Sequence, residues 1–280
     1  MSFLDRISEC NRHDPAGYVP FTVDGVRLGQ VRRDRLTDLA GFPGLIADQA
    51  GGVRLAEGVR GRAARSALME RVGRALAARG LCERWRDEPY PVGPRFGEVW
   101  FEIERALAEV FGVCAYGVHL NGYVAGDGAP AIWIPRRALD RPTYPGELDN
   151  TVAGGQPANL SVADNLVKEA WEEASIGPGL IARARPVGTL SYRLDGRFGL
   201  KRELIFAYDL ELPPDFTPEN RDGEVEDFRL WPADRVMQAV AESRDFKFNC
   251  ALVLIDFFVR HGLIGPDHPD YVAICAGLRQ

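Results

Sequence analysis

Four segments between residues 114 and 211 alternate apolar and polar residues, and they come in two pairs. "CAYGVHLNGYV" and "AIWIPRR" flank a turn at Gly126-Asp127-Gly128; "RPVGTLSYRL" and "KRELIFAYDLEL" flank Asp195-Gly196. Alternation with period two sends successive side chains to opposite faces of a strand. "VEDFRLWP" adds a short strand, and two segments with helical spacing lie among them, from about Val162 to Ala174 and from about Asn249 to His261. Strands and helices mixed in this way predict an α+β fold in which helices cover a sheet.

The first 112 residues have a different texture. "YVPFTVDGVRLGQV" reads as a hairpin turning at Asp24-Gly25, the strongest short hairpin signal. "GRAARSALMERVGRALAARG" places Leu68, Val72 and Leu76 at helical spacing and stops at Gly80. "DEPYPVGP" reads as a turn-rich connector and "VWFEIERALAEVFG" as a helix ending at Gly112. The change of pattern there divides the chain into a small α/β N-terminal domain, residues 1–112, and a second domain, residues 113–280.

Composition narrows the function. The chain has 280 residues, 46% apolar and 26% charged, with a net charge of −6. That balance gives no footprint for nucleic acid and no attraction to anionic membranes. The N-terminal arginines, Arg32, Arg33, Arg35, Arg60, Arg62 and Arg65, are expected to face solvent. Five cysteines, at 10, 82, 114, 250 and 275, are scattered without CxxC spacing, which fits reduced thiols and a cytoplasmic protein. The first residues carry charge throughout, so no signal peptide is expected. The longest apolar run, Ala251 to Val259, is interrupted by Asp256 and falls short of the roughly 18 residues that span a membrane.

The chemistry concentrates in "TVAGGQPANLSVADNLVKEAWEEASI", residues 151–176. Ser161-x-x-Asp164 is a capping-box pattern that starts a helix. At about 100° per residue, Glu169 and Glu173 lie about 40° apart and Glu172 about 60° to the other side of Glu169. The three carboxylates form one stripe beside an apolar face of Val162, Ala163, Leu166, Val167, Ala170 and Ala174, with Trp171 at its edge as a packing residue. Like charges at this spacing repel by a few tenths of a kcal/mol, as a rough guide. A hard divalent cation would cancel that repulsion, and Mg²⁺ takes one or two carboxylates together with substrate phosphates. A solvated acidic face is the other reading of the same spacing. Gly154 and Gly155, just before the helix, are expected to let the chain turn sharply and approach a ligand closely.

With its glycine lead-in, this segment resembles the Nudix box, G-x5-E-x7-R-E-U-x-E-E-x-G-U, where U is a bulky apolar residue. Gly154, Lys168-Glu169, Glu172-Glu173 and Ile176 fall in register. Leu160 stands where the first glutamate belongs, Lys168 replaces an arginine, and Ser175 replaces the second glycine. "YGVHLNGYV", "IWIPRR", "YPGELDNTVAGG", "DGEVEDFRL" and "FKFNCALVLIDFFVRHGLI" extend the likeness to a Nudix subgroup with an additional N-terminal domain. Some members of that subgroup are fused to thiamin pyrophosphokinase.

The resemblance implies a Nudix-type α/β/α sandwich with a mixed sheet. It implies Glu169, Glu172 and Glu173 as ligands of Mg²⁺ (or Mn²⁺). Glu173 and Glu224 are the candidate catalytic carboxylates, with Glu226 the alternative to Glu224. Arg136 and Arg137 suit phosphate capture, and strand alternation allows only one of them to face the site. Asn150, with Asp149, is a candidate for shaping the substrate pocket. Lys168 is expected to pair with a glutamate, and the four histidines to be non-catalytic.

The implied activity is metal-dependent hydrolysis of a small organic diphosphate to a monophosphate. Thiamin diphosphate or its oxidised analogues and ADP-ribose or another nucleoside diphosphate derivative both stay open as substrates. A Nudix-like module that senses its ligand without cleaving it is the alternative, motivated by Leu160. The N-terminal domain is expected to cover the organic end of the substrate or to mediate a homodimer.

Overall fold

The structure, a computed structural model, describes residues 2–280. The N-terminal region runs α1 (Phe3–Cys10), β1 (Tyr18–Val23), β2 (Val26–Arg32), α2 (Leu36–Leu39), β3 (Leu45–Asp48), β4 (Gly52–Leu55), α3 (Arg62–Ala78), β5 (Pro89–Val92), β6 (Phe101–Glu104) and α4 (Arg105–Phe111). A four-stranded sheet of order β2-β1-β4-β3 and the antiparallel pair β5-β6 carry it. Asp24 and Gly25 both take positive φ, the backbone of a type I′ turn, whose twist matches the flanking strands.

Three sequence expectations are corrected here. "DEPYPVGP" is not a connector, because Pro89–Val92 pair with Phe101–Glu104. The segment before Gly112 is half strand and half helix, because Phe101 and Ile103 alternate into the core before α4 begins. The core of this region packs Phe21, Phe101 and Phe111 with Leu68, Met69, Val72 and Leu76 of α3. Arg65 is not solvent-facing. It is buried, pairs with Asp24 and lies over the Trp100 ring.

The remainder runs β7 (Cys114–Val124), β8 (Ala131–Arg137), β9 (Val152–Gly155), α5 (Val162–Ala174), α6 (Pro178–Ile181), β10 (Arg185–Asp195), β11 (Leu200–Glu211), β12 (Val225–Pro232), α7 (Ala233–Glu242), α8 (Phe248–Arg260) and α9 (Tyr271–Gly277). The strands order as β10-β11-β7-β8-β12, with β9 also on β7. The sheet is mixed: β7 runs parallel to β11 and antiparallel to β8 and β9.

Alternation assigns the two faces. Val118, Leu120, Trp133, Leu210 and Leu212 pack with Leu166, Ala170 and Ala174 of α5. Ile132, Ile134, Ile205 and Ala207 pack on the other face with α8. Helix α8 is buried from Asn249 to Phe258, as expected of a helix that is apolar all round. Its outer side is covered by α1 and α7. The interrupting Asp256 is buried and held by Arg260 and Arg279, each at 2.6 Å. Helix α1 thus seats Ile7 and Cys10 in the core of the C-terminal part. The result is an α/β/α sandwich with helices on both faces of a mixed sheet.

Candidate active site

Helix α5 begins where its cap predicts. Ser161 Oγ accepts the Asp164 N–H at 3.0 Å, satisfying one of the free donors of the first turn. Its buried residues are Asn165, Leu166, Ala170, Glu173 and Ala174. The apolar face is therefore narrower than the sequence suggests. Ala163 and Val167 are exposed, and Trp171 stands in solvent with the Arg221 guanidinium 3.8 Å above its ring. The helix is rotated so that Glu173, not Trp171, turns toward β9.

That rotation produces the site. Glu173 is buried, and its Oε2 accepts the Ala153 N–H of β9 at 2.8 Å. Glu169 stands one turn earlier, its side chain 15% exposed, and Lys168 Nζ donates to Glu169 Oε1 at 3.1 Å and to Glu172 Oε2 at 2.7 Å. Glu172 is more open. Burial pushes the Glu173 carboxyl well above its ordinary range, and the neighbouring Glu169 adds to this. Burial also raises Glu169, against the pull of Lys168.

Gly154 and Gly155 do not form a turn. They end β9 and pair with Val118 and Gly117 of β7. Their lack of side chains serves close approach instead. A methyl group at Gly154 would lie 2.4 Å from Glu169 Cδ, and one at Gly155 would lie 2.0 Å from Tyr90 Oη.

The carboxylates line a cleft of about 410 Å³ between the N-terminal region and the sheet. One wall carries Glu83, Arg86, Glu88, Tyr90 and Arg105. The other carries Arg137, Arg141, Glu224 and Lys247 beside the three glutamates. Glu224 is paired with Arg141 and lies near enough to Glu169 and Glu173 to raise both carboxyls. Glu226 points away and meets Arg136 at 3.6 Å. Tyr144, Tyr192, Phe248, Lys201 and Glu203 also line the cleft and form its aromatic part. Tyr192 donates its hydroxyl to Glu203, and Tyr144 and Tyr192 both pack on Phe248.

Arg136 and Arg137 divide as strand alternation requires. Arg137 lines the cleft; Arg136 does not, because it faces Glu226 on the neighbouring strand β12. Asn150 is not on the cleft wall. It is buried behind it, with His119 Nδ1 at 2.7 Å from its Oδ1 and its amide N–H donating to Asn121 Oδ1 at 3.0 Å. Asp149 lies beside it and receives Arg137 at 2.7 Å and the Cys250 thiol at 2.6 Å, with Lys247 at 3.7 Å. Burial alone would raise the Asp149 carboxyl, but Lys247 and Arg137 outweigh it and hold it at about 2.

Which cluster suits a divalent cation follows from these charges. His119, Asp149 and Cys250 bring ligand atoms within 4.8 Å of one another. However, Asp149 already has two cationic neighbours, and burial pushes the Cys250 thiol well up, keeping it protonated. A further cation there would meet positive charge and no thiolate. Glu173, in contrast, contacts no cation among the described residues, and Glu169 and Glu224 both add negative charge beside it. All-oxygen donors with excess negative charge are what Mg²⁺ or Mn²⁺ requires, so the glutamates fit a metal and the buried triad serves as a hydrogen-bonded floor.

Arg86, Arg105 and Tyr90 were not legible as site residues. They sit far from the acidic helix in sequence and reach it only because the N-terminal region docks there. The Lys168 pairing with glutamate was legible from its spacing alone.

Comparison with known proteins bears on this geometry. A family model described as a domain of unknown function, DUF4743, matches residues 2–115. Nudix hydrolase 24, chloroplastic, of Arabidopsis thaliana is 41% identical over 99% of this chain and 77% of its own length. Nudix hydrolase 20, chloroplastic, of the same plant is 38% identical over 99% of this chain and 77% of its own. A crystal structure from Deinococcus radiodurans aligns with a TM-score of 0.48 at 19% identity, over 60% of this chain and 97% of that one. The cytoplasmic expectation is corrected by the two plant relatives, which are named chloroplastic. Scattered thiols report reducing conditions and not which membrane encloses them. With such identity along nearly its whole length, the chain belongs to the Nudix hydrolase family.

Proposed function

We propose that this Nudix hydrolase cleaves the diphosphate linkage of a small organic diphosphate to a monophosphate, with thiamin diphosphate or an oxidised analogue as the substrate class. The observation that carries the reading is the convergence of Glu169, Glu173 and Glu224 on one cleft, with no cation touching Glu173 among the described residues.

Glu169 and Glu173, with Glu172 at the rim, would hold Mg²⁺ or Mn²⁺, which supplies charge neutralisation at the phosphates and an acidified water. The Ala153 N–H fixes the Glu173 carboxylate, so its second oxygen has a set direction. Glu224, paired with Arg141, would accept a proton from the attacking water. Lys168 holds the outer oxygens of Glu169 and Glu172 in place.

The aromatic part of the cleft supports the organic half. Glu203 is a cleft carboxylate without an ion pair among the described residues, held by the Tyr192 hydroxyl and Asn249. Beside it lie the rings of Tyr144, Tyr192 and Phe248. An acid among aromatic rings suits a heterocycle that carries positive charge or N–H donors, as thiamin does. Residues 1–112 would act as a domain that covers this part, which relates the chain to the Nudix part of thiamin pyrophosphokinase fusions.

The test is a hydrolysis screen with Mg²⁺ and, separately, Mn²⁺ against thiamin diphosphate, its oxo and oxy analogues, ADP-ribose and common nucleotides. Turnover of the thiamin compounds, lost in Glu173→Gln, supports the reading. Turnover of ADP-ribose alone keeps the chemistry and discards the thiamin assignment. Binding without turnover across the panel replaces the enzyme with a sensing module, the reading that Leu160 favours.

A further inference from the structure

The cleft has a second charged group that the acidic helix does not explain. Arg86 lines it from the N-terminal side and is half-buried. Its backbone is anchored, since the Arg86 N–H donates to Glu104 Oε1 at 2.8 Å and the Glu88 N–H to Glu104 Oε2 at 3.0 Å. Its guanidinium has neither a hydrogen bond nor an ion pair among the described residues. Half removed from water, its charge has no fixed partner within the protein, which leaves it available to a ligand.

Its neighbours make the vacancy more specific. Arg105 is held by Glu88 at 2.9 Å, and Arg141 by Glu224 on the opposite wall. Arg141 Nε is buried with no hydrogen-bond partner. The Arg86 guanidinium is close enough to both arginines for burial and their charges to lower its pKa, with Glu83 and Glu88 opposing. Through Arg141, which contacts Glu224, this cluster adjoins the carboxylates Glu169 and Glu173. Each arginine presents a planar fork suited to two oxygens of one phosphate.

We propose that Arg86, delivered by the N-terminal region, grips a phosphate of the substrate diphosphate opposite Arg141, so that the phosphate site is built jointly by both parts of the chain. This rests on the hydrolase reading for its substrate, but the grip itself is a binding property and is testable without turnover. Once bound, the phosphate neutralises Arg86 and faces Arg141 across the cleft. The carboxylates then face the same diphosphate from the other side. Arg86 binds and orients; it takes no proton.

The experiment uses inorganic pyrophosphate as the probe, in a chelator so that no divalent metal contributes. Its affinity is measured by calorimetry for the full chain, for Arg86→Ala, for Arg86→Lys and for Arg84→Ala, whose side chain is exposed and outside the cleft. Loss of a charged bidentate contact predicts pyrophosphate binding weaker by about 10- to 100-fold in Arg86→Ala. Partial recovery is expected in Arg86→Lys, and no change in Arg84→Ala. The melting temperature of Arg86→Ala should stay unchanged, because the side chain has no internal partner to lose.

For any diphosphate that is turned over, KM should rise in parallel while kcat changes less. Equal pyrophosphate affinity in the full chain and Arg86→Ala, or no pyrophosphate binding by the unaltered chain, overturns the proposal. Arg86-dependent binding in a chain that hydrolyses nothing leaves it standing and removes the hydrolase reading instead.

Discussion

The Gly154 backbone and the Glu169 side chain are packed so closely that a methyl group on Gly154 would lie 2.4 Å from Cδ and 2.5 Å from Cγ of Glu169. The strand therefore sets where this carboxylate can point. Gly154→Ala should displace Glu169 outward while leaving the β7–β9 ladder intact. Metal affinity is expected to fall about 10- to 100-fold, the usual cost of disturbing what orients a ligand. Titration of the variant with Mn²⁺ checks this, and wild-type affinity would show that Glu169 is not positioned by the glycine.

Glu173 is a buried carboxylate held against its preference. Its pKa is raised in the folded chain, so its contribution to stability is present below the ordinary value of 4.5 and declines as pH rises above it. Glu173→Gln keeps an acceptor for the Ala153 N–H and removes the charge. At pH 7 without metal the variant should melt at the same temperature or higher, yet lose about 10²-fold or more in kcat. It should also lose the upward melting shift that Mg²⁺ gives the unaltered chain. Calorimetric scans with and without Mg²⁺ read both effects, and a lower melting temperature in the metal-free variant would contradict the placement.

Asp149 has the opposite sign. Its folded pKa of about 2 lies below the ordinary 3.8. The stabilisation, roughly 2 kcal/mol from that shift, is present above about pH 4 and is lost as pH falls toward 2. Asp149→Asn should flatten this acid limb. At neutral pH the variant should be less stable by about 3–5 kcal/mol, because Arg137 and Lys247 lose their buried counter-ion. Urea midpoints measured between pH 2 and 7 give the comparison, and an unchanged acid limb would place the titration elsewhere.

Tyr90 and Gly155 join the two parts of the chain where a methyl group at Gly155 would lie 2.0 Å from the tyrosine hydroxyl oxygen. Gly155→Ala should destabilise the protein and reduce activity by pushing β5 from β9. Adding Tyr90→Phe removes the clashing oxygen and should restore part of the loss, with a coupling of about 1 kcal/mol between the two changes. Additive effects in a double-mutant cycle would mean that the contact carries no strain.

Much of this architecture was legible from local pattern. Alternation in 114–137 and 185–232 located five strands, and the Ser161 cap and apolar spacing bounded α5, because strand period and helix caps depend on neighbours within a few residues. The same spacing placed Glu169, Glu172 and Glu173 in one stripe. It did not show that Glu173 turns inward while Trp171 turns out. Nor could it show β9, whose four residues become a strand only by pairing with β7.

What the sequence determined alone is thus the β1–β2 hairpin, helices α3, α5 and α8, five strands of the larger sheet, the register of the acidic stripe and the choice of one arginine from Arg136 and Arg137. Only the tertiary structure decided that Arg137 is that arginine, that Asn150 lies behind the wall, and that Arg86 and Tyr90 enter the cleft. Each of those outcomes depends on contacts between segments tens of residues apart. Local periodicity says which residues share a face, but the docking of one element on another decides what that face meets.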